Sequence, residues 1–204
     1  MRNFILPLLL VVPFELWSQE IDDENSFIVP RSLIKIAPLQ FFSSTLEMGI
    51  ENFNADRNKS FNIDIGFRSG SADFRRGKGI STEIAYRKYA SGLKMHTRKD
   101  RRFYQGIYYS VFVKAIYFKG EERYSFSTID PVYDDQEIWN VGPGFTLGLQ
   151  KTLWQIIYLD VFIGGGIKFS TYSDGGDPYF EPTITDPGYE GIYPKIGAKI
   201  GIGL

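Results

Sequence analysis

From residue 31 onward, apolar and polar positions alternate along eight stretches separated by turn-rich gaps. They predict strands over 33–41, 45–53, 61–68, 80–89, 106–118, 141–150, 156–168 and 194–204. No helical periodicity of useful length follows residue 30. The last stretch is the clearest. Ile196, Ala198, Ile200, Ile202 and Leu204 share one parity, and Gly197, Lys199, Gly201 and Gly203 share the other. A strand sends these sets to opposite faces, one a continuous apolar stripe and the other small residues around a charge.

The same division runs through the other strands. One parity carries Ile34 and Ile36, Leu46, Met48 and Ile50, Ile63, Ile65 and Phe67, Tyr109, Val111 and Val113, and Leu159, Val161 and Ile163. The opposite parity holds almost all the strand charges: Glu47, Glu51, Asp64, Glu83 and Asp160 against Lys35, Arg87, Lys114, Lys195 and Lys199. It also holds Gly49, Gly66, Gly142, Gly144, Gly148, Gly197 and Gly201. A soluble β-sandwich, or a periplasmic lipocalin-like barrel binding an apolar ligand, alternates in the same way with the apolar set inside. Glycine on a solvated face weakens a strand without gain, whereas the crowded lumen of an eight-stranded barrel requires small residues beside large ones. Five lysines and arginines turned to lipid would cost roughly ten kcal/mol or more at about 2–4 kcal/mol each. The expectation is therefore an all-β fold, an eight-stranded antiparallel up-and-down transmembrane β-barrel, with the ionic set forming an interior charge network.

The gaps set the orientation. The segments 54–59 and 151–155 are short, while 70–79, 120–139 and 170–193 are longer and rich in Gly, Pro, Asp and Tyr. Outer-membrane barrels place short turns on the periplasmic side and long loops outside. The tight connection at 42–44 and the long basic one at 90–105 fit this layout less well. Phe41, Phe42, Tyr89, Phe103, Tyr104, Tyr117, Phe118, Trp139 and Trp154 fall near predicted strand ends and are expected to form interfacial girdles.

The N-terminus changes the compartment. Arg2, an apolar run over 4–14 and a small residue at Ser18 read as a signal peptide over residues 1–18. The apolar run is too short for a spanning helix, which needs about 20 residues. Residues 19–30 are acidic and unpatterned, a flexible periplasmic lead-in to the barrel at 31–204. The chain has no cysteine, which removes disulfides and cysteine metal sites. A net charge of −1 offers no basic footprint for nucleic acid. Mean hydropathy of −0.17 is low for a helical membrane protein but compatible with strands that are only half apolar.

These patterns carry a resemblance. The segment 196–204 resembles the terminal signal read by the outer-membrane barrel assembly machinery, with Ile196, Ala198, Ile200, Ile202 and Leu204 as its apolar positions and Leu204 where phenylalanine is commoner. Stretches such as Leu46-Glu-Met-Gly-Ile-Glu51, Gly142-Pro-Gly-Phe-Thr-Leu-Gly148 and Leu159-Asp-Val-Phe-Ile-Gly-Gly165 resemble uncharacterised Bacteroidota outer-membrane β-barrel proteins, small OmpA/OmpX-like barrels. The resemblance covers most of residues 31–204. It implies location in the outer membrane of a Gram-negative bacterium, contact with its lipids and lipopolysaccharide, and no transferable catalytic residue.

Candidate chemistry is sparse. His96 is the single histidine and lies in a basic stretch, Lys94-Met-His-Thr-Arg-Lys99, with no evident route to a serine. Gly164-Gly-Gly-Ile-Lys168 lacks the Lys-Ser/Thr of a phosphate loop and reads as a bulge or a close backbone approach. Asp174-Gly-Gly-Asp177 and Asp134-Asp-Gln-Glu137 offer hard oxygens but read as acidic outer loops. Arg98-Lys-Asp-Arg-Arg102 suits either anionic head groups or solvent. The expectation is a non-enzyme without cofactor, structural or recognising a surface partner through its outer loops. A small-solute pore and a lipid-modifying enzyme are the alternatives.

Overall fold

A computed structural model describes residues 30–71, 75–90, 94–98, 101–123, 133–154, 156–172, 184 and 188–204. The expected signal peptide, nearly all of the lead-in and the Asp174–Asp177 cluster lie outside them. The described residues form nine strands: β1 (Ser32–Ile36), β2 (Thr45–Phe53), β3 (Lys59–Ser71), β4 (Arg75–Tyr89), β5 (Lys94–Arg98), β6 (Arg101–Arg123), β7 (Tyr133–Trp154), β8 (Ile157–Tyr172) and β9 (Gly191–Gly203). Every pairing is antiparallel, and the ring closes through β1–β9, with Ile34 opposite Ile202, and β4–β6, with Glu83 opposite Lys114. The result is an eight-stranded up-and-down barrel. The ninth strand, β5, takes up the pairing with β6 below the end of β4: Tyr89 faces Tyr108, and Lys94 faces Gln105. Both chain ends of the barrel lie at one rim, where the Leu204 amide donates to the Ser32 carbonyl at 2.9 Å.

Several boundaries differ from the alternation. The first strand stops at Ile36 rather than 41 because Pro38 has no N–H for the ladder. A 3-10 helix at Pro38–Ser43 follows and ends on Ser44 in the left-handed region, φ 55°, whose amide caps Gln40 and Phe41 carbonyls. The stretch 90–105, expected as a long turn, contains β5 and the start of β6 paired as a hairpin. The expected loops 70–79 and 120–139 are largely strand where they are described, since β3 runs to Ser71, β4 starts at Arg75, β6 runs to Arg123 and β7 starts at Tyr133. At the tight turn 54–58 the Asn54 side chain accepts from the Lys59 amide at 3.0 Å, and Arg57 takes the left-handed conformation, φ 53°.

The two faces separate cleanly. Ile34, Met48, Ile50, Ile63, Ile65, Ile84, Val111, Val113, Leu147 and Ile163 project outward and exposed, while Lys35, Glu47, Glu51, Asp64, Glu83, Arg87, Asp160 and Lys199 are buried in the lumen. On β4 the outward face reads Lys78, Ile80, Thr82, Ile84, Tyr86, Lys88, so that cations bracket an apolar stretch. On β6 the outward apolar stretch runs from Ile107 to Tyr117 and is followed by Lys119. At its upper limit Tyr117 packs on Trp139 of β7, with ring centroids 4.6 Å apart.

Candidate functional site: the ionic barrel interior

Inward parity places all ten charged candidates around one lumen, where the structure divides them into two neutral groups. The first lies toward the termini. Lys35 on β1 donates to Asp160 on β8 at 2.8 Å and to the Gln150 side-chain oxygen at 2.9 Å, and pairs with Glu51 on β2. Arg87 on β4 reaches the same Asp160 oxygen at 2.6 Å and the Glu51 oxygen at 3.5 Å. Tyrosines complete the carboxylates: Tyr108 donates to Asp160 at 2.6 Å and Tyr89 to Glu51 at 3.0 Å, while Ser60 also donates to Glu51. Two cations and two anions thus share a buried compartment, and the tyrosines that bond its carboxylates, Tyr89 and Tyr108, belong to one cluster with Leu33, Phe53 and Tyr158. Removal from water penalises each ion, and this mutual pairing and hydrogen bonding offsets the penalty.

The second group lies toward the opposite rim. Lys199 on β9 bridges Glu47 at 3.1 Å and Asp64 at 2.6 Å, Lys114 on β6 meets Glu47 at 3.3 Å, and Lys195 on β9 pairs with Glu83 on β4. Three positive charges face three negative ones. The strands β9 and β4 are diametrically opposite in the ring, so the Lys195–Glu83 pair spans the lumen. Lys195 also sits 3.8 Å from the ring centroid of Phe112.

Inward aromatics fill the remaining space, and the glycines make room for them. Tyr108 faces Gly148, Phe112 faces Gly144 and Phe162 faces Gly197 across the ladder. A Cβ on any of these glycines would collide with the facing ring. Of the two readings of this glycine run, a bulge or a close backbone approach, the structure shows no bulge at 164–166: these glycines stay in register with β7 and β9, and the irregularity lies between Thr152 and Trp154. They mark the close backbone approach, since a Cβ on Gly164 would strike the Phe145 carbonyl.

Three expected girdle aromatics are corrected. Tyr89, Tyr104 and Phe118 point into the barrel and are buried. Their parity gave the signal, since Tyr89 follows Arg87 on the inward face. The structure also adds Gln150, Asn62, Ser60 and Tyr108 to the ionic interior, residues that the charge pattern alone passes over. Of the closing-strand positions, Ile196, Ile200, Ile202 and Leu204 are exposed on the outer face and Ala198 is half-buried.

Beyond the apolar stretch, Lys119 on β6 donates to Glu137 on β7 at 2.7 Å in solvent. That hydrogen bond, followed by the lysine's charge, holds the Glu137 carboxyl below its ordinary value. His96 lies in β5, and among the described residues no group of three or more His, Cys, Asp or Glu is placed to hold a metal ion. No helix among the described residues is long and apolar enough to cross a membrane, which says nothing of strands. Searches against family profiles, curated proteins and solved structures return no match for this chain.

Proposed function

We propose that this chain is an integral outer-membrane barrel of a Gram-negative bacterium, of the small Bacteroidota type that its sequence resembles. In this reading it is a rigid scaffold that presents a recognition surface at the rim opposite its termini. One observation carries the proposal: the barrel is polar inside and apolar outside, the reverse of a water-soluble domain. Large contiguous apolar surface on a soluble monomer is rare, and here it encircles the barrel.

Dimensions support the reading. The outward apolar runs Ile107–Tyr117 on β6 and Trp139–Leu149 on β7 cover about eleven residues each, against the 9–11 that a tilted strand needs to cross the hydrocarbon. Lysines stand where the apolar stretch ends, at Lys78, Lys88 and Lys119. In this reading the residues 1–18 direct export, the apolar stripe of β9 is the assembly signal, and lipids and lipopolysaccharide surround the wall.

Cell fractionation followed by a heat-modifiability gel tests the proposal. The expected outcome is recovery in outer membranes, with the unboiled barrel migrating apart from the boiled chain. Recovery as a detergent-free periplasmic protein would overturn it. The enzyme alternative is tested by mass spectrometry of lipid A from cells with and without the protein, for which an unchanged spectrum is expected.

A further inference from the structure

Charge is distributed differently at the two rims of the barrel. At the rim opposite the termini, ladder partners carry opposite signs: Arg75 faces Glu122, Arg76 faces Glu121 and Lys119 faces Glu137. Lys78 also faces Lys119 there, but Glu137 neutralises Lys119 at 2.7 Å. At the rim that carries the termini, ladder partners carry the same sign. Lys59 on β3 faces Lys88 on β4, and Arg98 on β5 faces Arg101 on β6. Like charges directly opposite each other destabilise a ladder. Lys59 and Lys88 are exposed, and neither has an ion-pair partner among the described residues. Lys88 lies 6.0 Å from the ring centroid of Tyr109, the outer limit of a cation–π contact.

These cations share one face and one flank. Lys59 follows Ile63 and Phe61 on the outward parity of β3, and Lys88 follows Ile84 and Tyr86 on that of β4. Tyr104 is buried in the lumen, so Gln105, Phe103 and Arg101 fall on the outward parity of β6, and their ladder partners Lys94, His96 and Arg98 fall on the same face. The basic positions thus continue the apolar face directly, at the level where its apolar residues end. Residues 94–102 hold five cations, Lys94, Arg98, Lys99, Arg101 and Arg102, against the single carboxylate Asp100, in a chain whose net charge is −1. Among the described carboxylates at this end, Glu51 and Asp160 are turned into the lumen, and only Asp56, in the turn at 54–58, lies outside it. On the opposite flank the outward face stays apolar to the same rim, through Leu159 and Ile157 on β8 and Ile200 and Ile202 on β9.

We infer that the flank formed by β3, β4, β5 and β6 at the terminal rim binds the headgroups of anionic phospholipids. The inference rests on the membrane reading, because headgroups reach these residues only if the apolar face beside them lies in hydrocarbon. A phosphate placed between opposed cations replaces their repulsion with attraction, and arginine is the side chain whose planar fork fits it. Each basic residue near an anionic leaflet adds an attraction that fades within a Debye length. Parity favours a lipid over an acidic protein, since the cations stand on the outer wall in line with its isoleucines.

Electron paramagnetic resonance of spin-labelled lipids around the full barrel in phosphatidylcholine bilayers tests the inference. The motionally restricted fraction reports lipid held at the wall. Phosphatidylglycerol is expected to associate about fivefold more strongly than phosphatidylcholine at low salt, and half-molar salt should remove the preference. K59Q/K88Q/R98Q/R101Q is expected to abolish it, while K78Q/K119Q, at the other rim, retains it. Heat modifiability verifies the fold of each variant. Equal association of the two lipids, a preference that survives the quadruple substitution, or one lost equally in K78Q/K119Q would overturn the inference and leave the membrane reading intact. Binding of a hepta-glutamate peptide without any headgroup preference would overturn it in favour of an acidic protein partner. Absence of restricted lipid of either kind would remove the membrane reading and the inference with it.

Discussion

At the residue scale, the interior depends on two matched sets: glycines opposite rings, and cations between carboxylates. Gly148→Val drives a branched side chain into Tyr108. We expect a loss of about 1–3 kcal/mol, read by urea unfolding in lipid. Lys35→Met leaves Glu51 and Asp160, two buried anions, sharing Arg87 alone and is expected to cost about 3–5 kcal/mol in the same assay. Lys119→Met serves as the contrast. Its pair with Glu137 is solvated, so the unfolding midpoint should stay put while the Glu137 carboxyl titrates higher by NMR. Because the folded state lowers that carboxyl's pKa, the pair's small contribution is present above the ordinary glutamate value and fades as pH falls through the lowered one. Parity alone was enough to sort charges from isoleucines. It could not identify partners, since Lys195 and Glu83 are 112 positions apart and meet only across the closed ring.

At the element scale, the alternation gives β2 its observed bounds, 45–53, but marks only the middle of the longer strands and misses their ends. Strand β6 was legible over 106–118 but runs from Arg101 to Arg123. Its outward face turns polar at Lys119, so the hydropathy pattern stops while the ladder hydrogen bonds continue. Strand β5 was hidden for a related reason, since Lys94 to Arg98 carries too many charges to read as a half-apolar strand. In β1 the error runs the other way, because Pro38 ends pairing before the apolar residues run out. The middle of β6 offers a discriminating substitution. If its outward face meets hydrocarbon, Val111→Arg costs about 2–4 kcal/mol and slows insertion into liposomes. If that face meets water, the same change is nearly neutral. Folding yield in liposomes separates the two outcomes.

At the scale of the whole molecule, the ionic groups and aromatic rings cross the lumen at successive levels, from Leu33 and Tyr158 near the termini to Lys195 and Phe112 near the mouth. An eight-stranded ring leaves room for side chains and little else. We therefore expect no steady conductance in planar bilayers, and long, uniform openings would instead establish a pore. The arrangement as a whole rests on which solvent touches the outer wall. The chain has no cysteine, so single nitroxide labels can be placed without background. Labels at Val111 and Lys119 lie on the same outward face of β6 at different heights. In liposomes, electron paramagnetic resonance should find Val111 open to dissolved oxygen and shielded from a water-soluble nickel chelate, with Lys119 open to the chelate. Equal access of the chelate to both positions would contradict the account.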